Sequence, residues 1–293
     1  MENKRYPISP DSIVTVTEMN HLTEIQYMEK MNNRANIKKL NSDEYVDLKT
    51  GEVKEFEKTE NRSQSYNSLR QTFKKLRYLI NNNFTGKRNE LFLTLTYAEN
   101  MTDPKKLYDD IDKFFKRFRY KYKDVSTIDY INVVEPQGRG AWHCHVLLRF
   151  NELEKIFIPS DEMEKIWGHG FVKIKSMQNV DNIGAYLSAY LADIELKDGN
   201  VLHAMEHGLE VVEKDVEGQK KIFIKGGRLH MYPTGMNLYR KSSGIKFPER
   251  KKMKYSEAIK KVGSTEPHFT KDIQISIDDF ENTIAYEQYN SKR

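Results

Sequence analysis

The chain has 293 residues, 31% of them charged and 38% hydrophobic, with a formal net charge of +5. That length holds one large domain with its own core, or one domain and an appendage. A single cysteine excludes a disulfide framework and a four-cysteine zinc site and suits a reducing cytoplasm. No apolar run approaches a membrane span, and the N-terminus lacks the hydrophobic core of a signal peptide. The modest positive charge permits nucleic-acid binding without demanding it.

Residues 1–40 are polar and weakly patterned, apart from a β-like run at 13–17. Residues 45–48 and 53–56 flank Lys49-Thr50-Gly51-Glu52 and predict a small hairpin. Residues 65–81 carry Leu69, Phe73, Leu76, Leu79 and Ile80 at helical spacing. A strand at 91–97 follows. Asp103-Pro104 opens a helix with proline at its first position, running to about 122 with Leu107, Ile111, Phe114, Phe115 and Phe118 turned inward. Strands at 128–135 and 142–150 are joined by Pro136-Gln137-Gly138-Arg139-Gly140, which supplies turn chemistry. A short helix at 160–167 has a capping start at Ser160-Asp161-Glu162-Met163. Trp167-Gly168-His169-Gly170 turns the chain into a strand at 171–175, with His169 as a structural turn residue. Residues 179–194 predict a helix on Val180, Ile183, Leu187, Leu191 and Ile194, capped by Asp181 or Asn179. A hairpin at 209–215 and 221–225 surrounds Glu217-Gly218. Beyond Lys246 a basic stretch from Arg250 to Lys261 precedes an acidic tail with Asp278, Asp279 and Glu281.

These elements divide the chain into an N-terminal extension with a small hairpin (1–60), a main domain (61–250) and a basic/acidic C-terminal appendage (251–293). The order β-α-β-β-α-β-α through the middle predicts an α+β fold, a mainly antiparallel sheet with helices packed on it.

Within the hairpin, Trp142-His143-Cys144-His145 places two histidines at i and i+2 on one strand face, with Cys144 turned away as a core residue. If the loop runs from Gln137 to Ala141, Glu135 falls opposite His143 and joins both imidazoles on that face. Two imidazoles and a carboxylate suit Mn²⁺, Mg²⁺ or Zn²⁺ and leave positions open for substrate. On the following helix, Tyr186 and Tyr190 stand four residues apart and share a face. Ordinary half-buried packing and a nucleophilic role are both open to them.

Three features in this order resemble the HUH single-stranded DNA endonucleases, in particular the rolling-circle replication initiators of plasmids, phages and mobile elements. Leu91-Phe92-Leu93-Thr94-Leu95-Thr96-Tyr97 is similar to the family's first strand motif, and Glu135 with His143-Cys144-His145 to its metal motif. Ala185-Tyr186-Leu187-Ser188-Ala189-Tyr190 is similar to its nucleophile helix, in the two-tyrosine form of phage gene A proteins. The resemblance covers about residues 88–195. One departure is Ala189, where the family often has a lysine before the second tyrosine.

The resemblance implies an HUH-like fold with an RRM-like core and a cation, Mn²⁺ or Mg²⁺ before Zn²⁺, on Glu135, His143 and His145. It implies attack by Tyr186 or Tyr190 on single-stranded origin DNA, giving a 5′-phosphotyrosyl enzyme and a free 3′-hydroxyl, with Tyr186 the first choice. Candidate phosphate contacts are Arg139, Arg149, Lys173 and Lys175, together with Lys116 and Arg119 on the aromatic-rich helix. Simple exposure is the plainer reading for the two strand lysines. No phosphate-binding loop of the Gly-x-x-x-x-Gly-Lys type occurs, so unwinding would fall to a host helicase. A relaxase or a tyrosine transposase of the same superfamily, a non-catalytic origin-binding protein and a zinc-stabilised RNA-binding module are the alternatives.

Overall fold

The computed structural model describes residues 5–30, 36–41, 43–56, 66–137, 139–178, 180–192, 194–195, 211–216, 219–224, 228, 231–233, 235–263, 266–277 and 280–292. The first strands are β1 (Ile13–Met19), β2 (Leu22–Met28), β3 (Ile37–Lys39), β4 (Glu44–Asp47) and β5 (Val53–Glu55). Next come α1 (Tyr66–Asn83), β6 (Glu90–Thr96), α2 (Pro104–Tyr122), β7 (Ile128–Pro136) and β8 (Trp142–Phe150). Then follow α3 (Ser160–Trp167), β9 (Val172–Lys175), α4 (Ile183–Ala192), β10 (Ile194–Glu195), β11 (Val211–Val216) and β12 (Gln219–Ile224). The last are β13 (Tyr239–Lys241), β14 (Arg250–Lys254), α5 (Tyr255–Val262), β15 (Phe269–Ile277) and β16 (Phe280–Asn290). The fold is α+β, and the pairings are antiparallel throughout the two five-stranded sheets. No helix among the described residues is long and apolar enough to cross a membrane.

The chain divides into two compact units, one of Met1–Thr59 with Pro248–Arg293 and one of Glu60–Phe247. In the first, the strand order is β14-β1-β2-β16-β15. The sequence reading sets 1–60 and 251–293 apart, yet strands from both segments pair here. Thr17 lies opposite Arg250, and Ile25 opposite Glu287. Charges such as Glu24, Asp272 and Glu287 interrupt the apolar alternation that would otherwise announce these strands. The basic stretch is the edge strand β14 and the helix α5. Lys254, Lys261 and Lys251 pair with Asp11, Glu18 and Glu249 at 2.9, 2.6 and 3.0 Å. Lysine on an edge strand also discourages edge-to-edge pairing with another chain. Behind the sheet, the buried Glu287 is held by Arg5 Nε at 2.5 Å and accepts from Tyr255 and Tyr289. Asp278 and Asp279 lie outside the described residues.

The second unit is built on the sheet β13-β7-β8-β6-β9. Alternation along the strands gives it two apolar faces. Leu91, Leu93, Leu95, Cys144, Val146 and Leu148 meet Ile111, Phe114 and Phe118 of α2 and Trp167 of α3. Phe92, Ile131, Val133 and Leu147 meet Leu76, Leu79 and Ile80 of α1 and Ile183 and Leu187 of α4. Each such fully buried side chain contributes roughly 1.5–3 kcal/mol of transfer free energy. Asp103 caps α2 as its sequence predicts, accepting from Lys105 N at 2.8 Å. The cap of α3 differs, because Pro159 occupies the position and no side chain bonds the free amides. The cap of α4 is Asn182, whose Oδ1 accepts from Ala185 N at 2.9 Å. It takes the place expected for Asp181 or Asn179, and Asn179 lies outside the described residues. Gly170, with φ of 147°, lets the chain pass the end of β6; a Cβ there would stand 2.6 Å from the Thr96 carbonyl oxygen. That passage sets β9 beside β6, with Lys173 opposite Thr94.

Candidate active site

The β7/β8 hairpin closes with Gln137 N donating to Ala141 O at 2.7 Å, the loop length anticipated from its turn residues. The register pairs Glu135 with His143 and Val133 with His145. On the other side of β8, His145 lies opposite Thr94 and His143 opposite Thr96. Trp142, Cys144 and Val146 are buried on the α2 face, and the two histidines are half-buried on the α4 face. Burial pushes the Cys144 thiol up to about 12, so it remains a protonated core residue.

Outer partners fix the orientation of His145. Its Nδ1 meets Thr94 Oγ1 at 3.2 Å, and its ring stacks on Phe92 at 5.6 Å between centroids. Its Nε2 bonds Glu135 Oε2. The other oxygen of Glu135 is held by the Arg228 guanidinium, which also donates to Pro136 O at 2.8 Å. Burial raises the carboxyl of Glu135, but the charges of His145 and Arg228 outweigh it and hold the group below its usual range. Burial, reinforced by the positive charges of His145, Arg139 and Arg228, pushes His143 down to about 4 against the pull of Glu135. The His143 imidazole is therefore neutral at physiological pH. Its Nε2 is buried with no hydrogen-bond partner among the described residues.

Three donors of metal-ligand type thus share one sheet face, and one of them presents an unpartnered buried nitrogen. That donor set fits a divalent cation. Among the described residues no three His, Cys, Asp or Glu side chains form a ready-made metal group. The reason is visible at Glu135, where both oxygens are already engaged.

Beside His145 lies a cavity of about 130 Å³, floored by Phe92, Ile131, Val133 and Leu147. Its rim carries Lys173, Lys175 and Tyr186. Tyr186 is half-buried, packed against the apolar cluster under α4 yet open to this cavity. The backbone of Tyr190 continues the same helix, while its side chain lies outside the described residues. Gly184 determines how closely α4 approaches α1. A Cβ there would stand 2.7 Å from Asn81 Oδ1 and 2.8 Å from the Arg77 carbonyl oxygen. Gly184→Ala is expected to lower stability by about 1–3 kcal/mol through overpacking and to slow any chemistry that uses Tyr186, two residues on. Urea denaturation beside an adduct-formation time course measures both; parental values in each would show that the close approach is immaterial.

The candidate phosphate contacts separate. Lys173 and Lys175 line the cavity, and exposed Arg139 is close enough to His143 to depress its protonation. Arg149 is instead an internal clamp. It donates to Asp129 at 2.7 Å, to Asn83 O at 2.7 Å and to Asn151 Oδ1 at 3.0 Å. Arg149→Met would leave Asp129 uncompensated, and we expect a stability loss on the order of 3 kcal/mol with unchanged DNA affinity. A filter-binding loss in a variant of parental stability would restore Arg149 to the DNA contacts. Lys116 and Arg119 are exposed on α2, which covers the sheet face opposite the histidines, and Arg119 lies over the Tyr130 ring at 5.3 Å. His169 meets Asp110 at 3.5 Å and stands edge-on to Trp167, a structural setting. His203, His207 and His230, surface residues by sequence, lie outside the described residues.

Two site residues escape sequence reasoning. Arg228 follows Gly226-Gly227 and belongs to no periodic run. Tyr232 is buried behind β7, its hydroxyl donating to Val134 O at 3.2 Å. No local pattern marks either one; their role rests on contacts with a distant strand.

No curated protein matches the chain. Residues 90–195, from β6 through the hairpin to the end of the tyrosine helix, match the family model of the replication-associated protein ORF2. That segment carries Glu135, His143, His145 and Tyr186 and leaves out Arg228, and its match supports a replication initiator.

Proposed function

We propose that this protein nicks and rejoins single-stranded origin DNA to start rolling-circle replication. The observation that carries the reading is the placement of Glu135, His143 and His145 on one sheet face beside a cavity that Tyr186 also lines. The family match over 90–195 supports it. Glu135, His143 and His145 would hold a divalent cation, Mn²⁺ or Mg²⁺ before Zn²⁺. When bound, the cation supplies Lewis-acid polarisation of a non-bridging phosphate oxygen.

The chain's own residues supply the remainder. Tyr186 or Tyr190 Oη forms a bond to phosphorus while the P–O3′ bond breaks, leaving a 5′-phosphotyrosyl enzyme and a 3′-oxygen that takes up a proton. The bond energy is conserved, so a later 3′-hydroxyl reverses the step and joins ends without a nucleotide cofactor. A free phenol titrates near ~10, and positive charge favours its ionised form. Lys173 and Lys175 bring that charge to the cavity wall shared with Tyr186 and can hold the phosphate there. A host helicase would open the duplex ahead of the new 3′ end.

The test is incubation of the full chain with a pool of single-stranded oligonucleotides and Mn²⁺, followed by mapping of tyrosine–DNA adducts. Adducts at Tyr186 or Tyr190 that need the cation are expected. Their absence with every divalent cation tried would leave an origin-binding protein without chemistry.

A further inference from the structure

The two oxygens of Glu135 have different partners, and the division suggests a use. Oε1 is taken by the Arg228 guanidinium, whose second acceptor is the Pro136 carbonyl one residue on. The Arg228 side chain is itself only 14% exposed. A planar guanidinium on two acceptors of adjacent residues is a rigid fork, which a lysine ammonium cannot reproduce. With Oε1 held, Oε2 is the oxygen left facing His145 Nε2. The opposite nitrogen of His145 is held in turn by Thr94 Oγ1 at 3.2 Å. Two ligand atoms therefore face each other, each oriented from behind by a neighbour, with the unpartnered His143 Nε2 on the same sheet face.

We propose that Arg228 is a positioning residue that fixes Glu135 for the cation; the proposal rests on the metal-dependent reading above. It keeps the buried carboxylate ionised and directs Oε2 to the point between the histidines, where a cation replaces the hydrogen bond from His145. Outer partners of this kind commonly change metal affinity 10- to 100-fold when removed. A guanidinium also repels a nearby cation. The repulsion is the smaller effect here, because both charges bind opposite oxygens of one carboxylate, whereas an unpaired buried Glu135 would incur the full cost of an isolated ion. Arg228 lies outside the segment that matches the replication family, so the proposal gives the chain beyond 195 a part in the site.

The experiment is titration of the full chain with Mn²⁺, following the free-ion EPR signal, at a temperature where thermal melting in EDTA shows each variant folded. Parent, Glu135→Gln, His143→Ala, Arg228→Gln and Arg228→Lys are compared. We expect Arg228→Gln to weaken Mn²⁺ binding about 10- to 100-fold, and Arg228→Lys, which keeps the charge and loses the fork, to fall between it and the parent. Parental or tighter affinity in Arg228→Gln overturns the proposal. Should that variant not fold, Arg228→Lys decides, since parental affinity without the fork overturns it equally. If the parent binds no Mn²⁺, or binds it indifferently to Glu135→Gln and His143→Ala, the metal-dependent reading itself fails. That failure appears before any Arg228 variant is measured.

Discussion

Replacing His143 and His145 together by alanine is expected to abolish nicking while leaving most of the affinity for single-stranded DNA. Polarisation of the phosphate by a cation is worth several kcal/mol, and each 1.36 kcal/mol is tenfold in rate, so the loss should be at least about 10³-fold. Affinity should fall less than about threefold, because backbone phosphate contacts dominate it and neither histidine carries charge to the phosphates. His143 is neutral through burial, and His145 is committed to Glu135 and Thr94. A cleavage assay on an oligonucleotide that the parent nicks, run beside filter binding at fixed salt, separates the two quantities. An active double variant would remove the proposed mechanism, and equal loss of binding and cleavage would turn the histidines into fold or DNA-contact residues. Both rings leave the sheet on the α4 face and touch the main core little, so the double variant should remain folded.

The second large effect concerns the tyrosines. One nucleophile suffices for one nick, but ending a rolling circle needs a second cleavage while the first tyrosine still holds DNA. Side chains four apart on a helix stand about 6 Å apart at Cβ, close enough to alternate at a single site. Tyr186→Phe and Tyr190→Phe are each expected to retain partial adduct formation, and the double variant none. Tyr186→Phe should show the larger loss, since Tyr186 lines the cavity beside His145. Ala189 stands where the family often has a lysine that could serve one of the two tyrosines, so Lys173 and Lys175 become the nearby cations to replace next. Adduct gels with a 5′- and a 3′-labelled strand record both outcomes. A dead Tyr186→Phe beside a parental Tyr190→Phe would make this a one-tyrosine enzyme, with Tyr190 a packing residue.

The central hairpin was legible in the sequence because everything that shapes it is local. Period-two alternation assigns His143 and His145 to one face and Cys144 to the other, and the loop between Pro136 and Trp142 sets the register that brings Glu135 to them. The same holds for α2, whose Asp103-Pro104 start and inward phenylalanines need no distant information. The tyrosine helix was legible in type, while its cap moved to Asn182, since several adjacent polar residues can cap and tertiary contact selects one.

What the sequence alone determined is therefore the α+β core with its ligand-bearing strand pair and the helix that follows. Only the tertiary structure decided which charges serve that site. A positive charge in a sequence does not say whether its partner is solvent, a phosphate or a buried carboxylate. Arg149 proves to be a clamp on Asp129, Arg228 a holder of Glu135, and Lys116 and Arg119 belong to the opposite face. Likewise only the fold joins the two terminal segments in one sheet, because pairing between strands so far apart in the chain depends on matching edges and leaves no periodic trace in either partner.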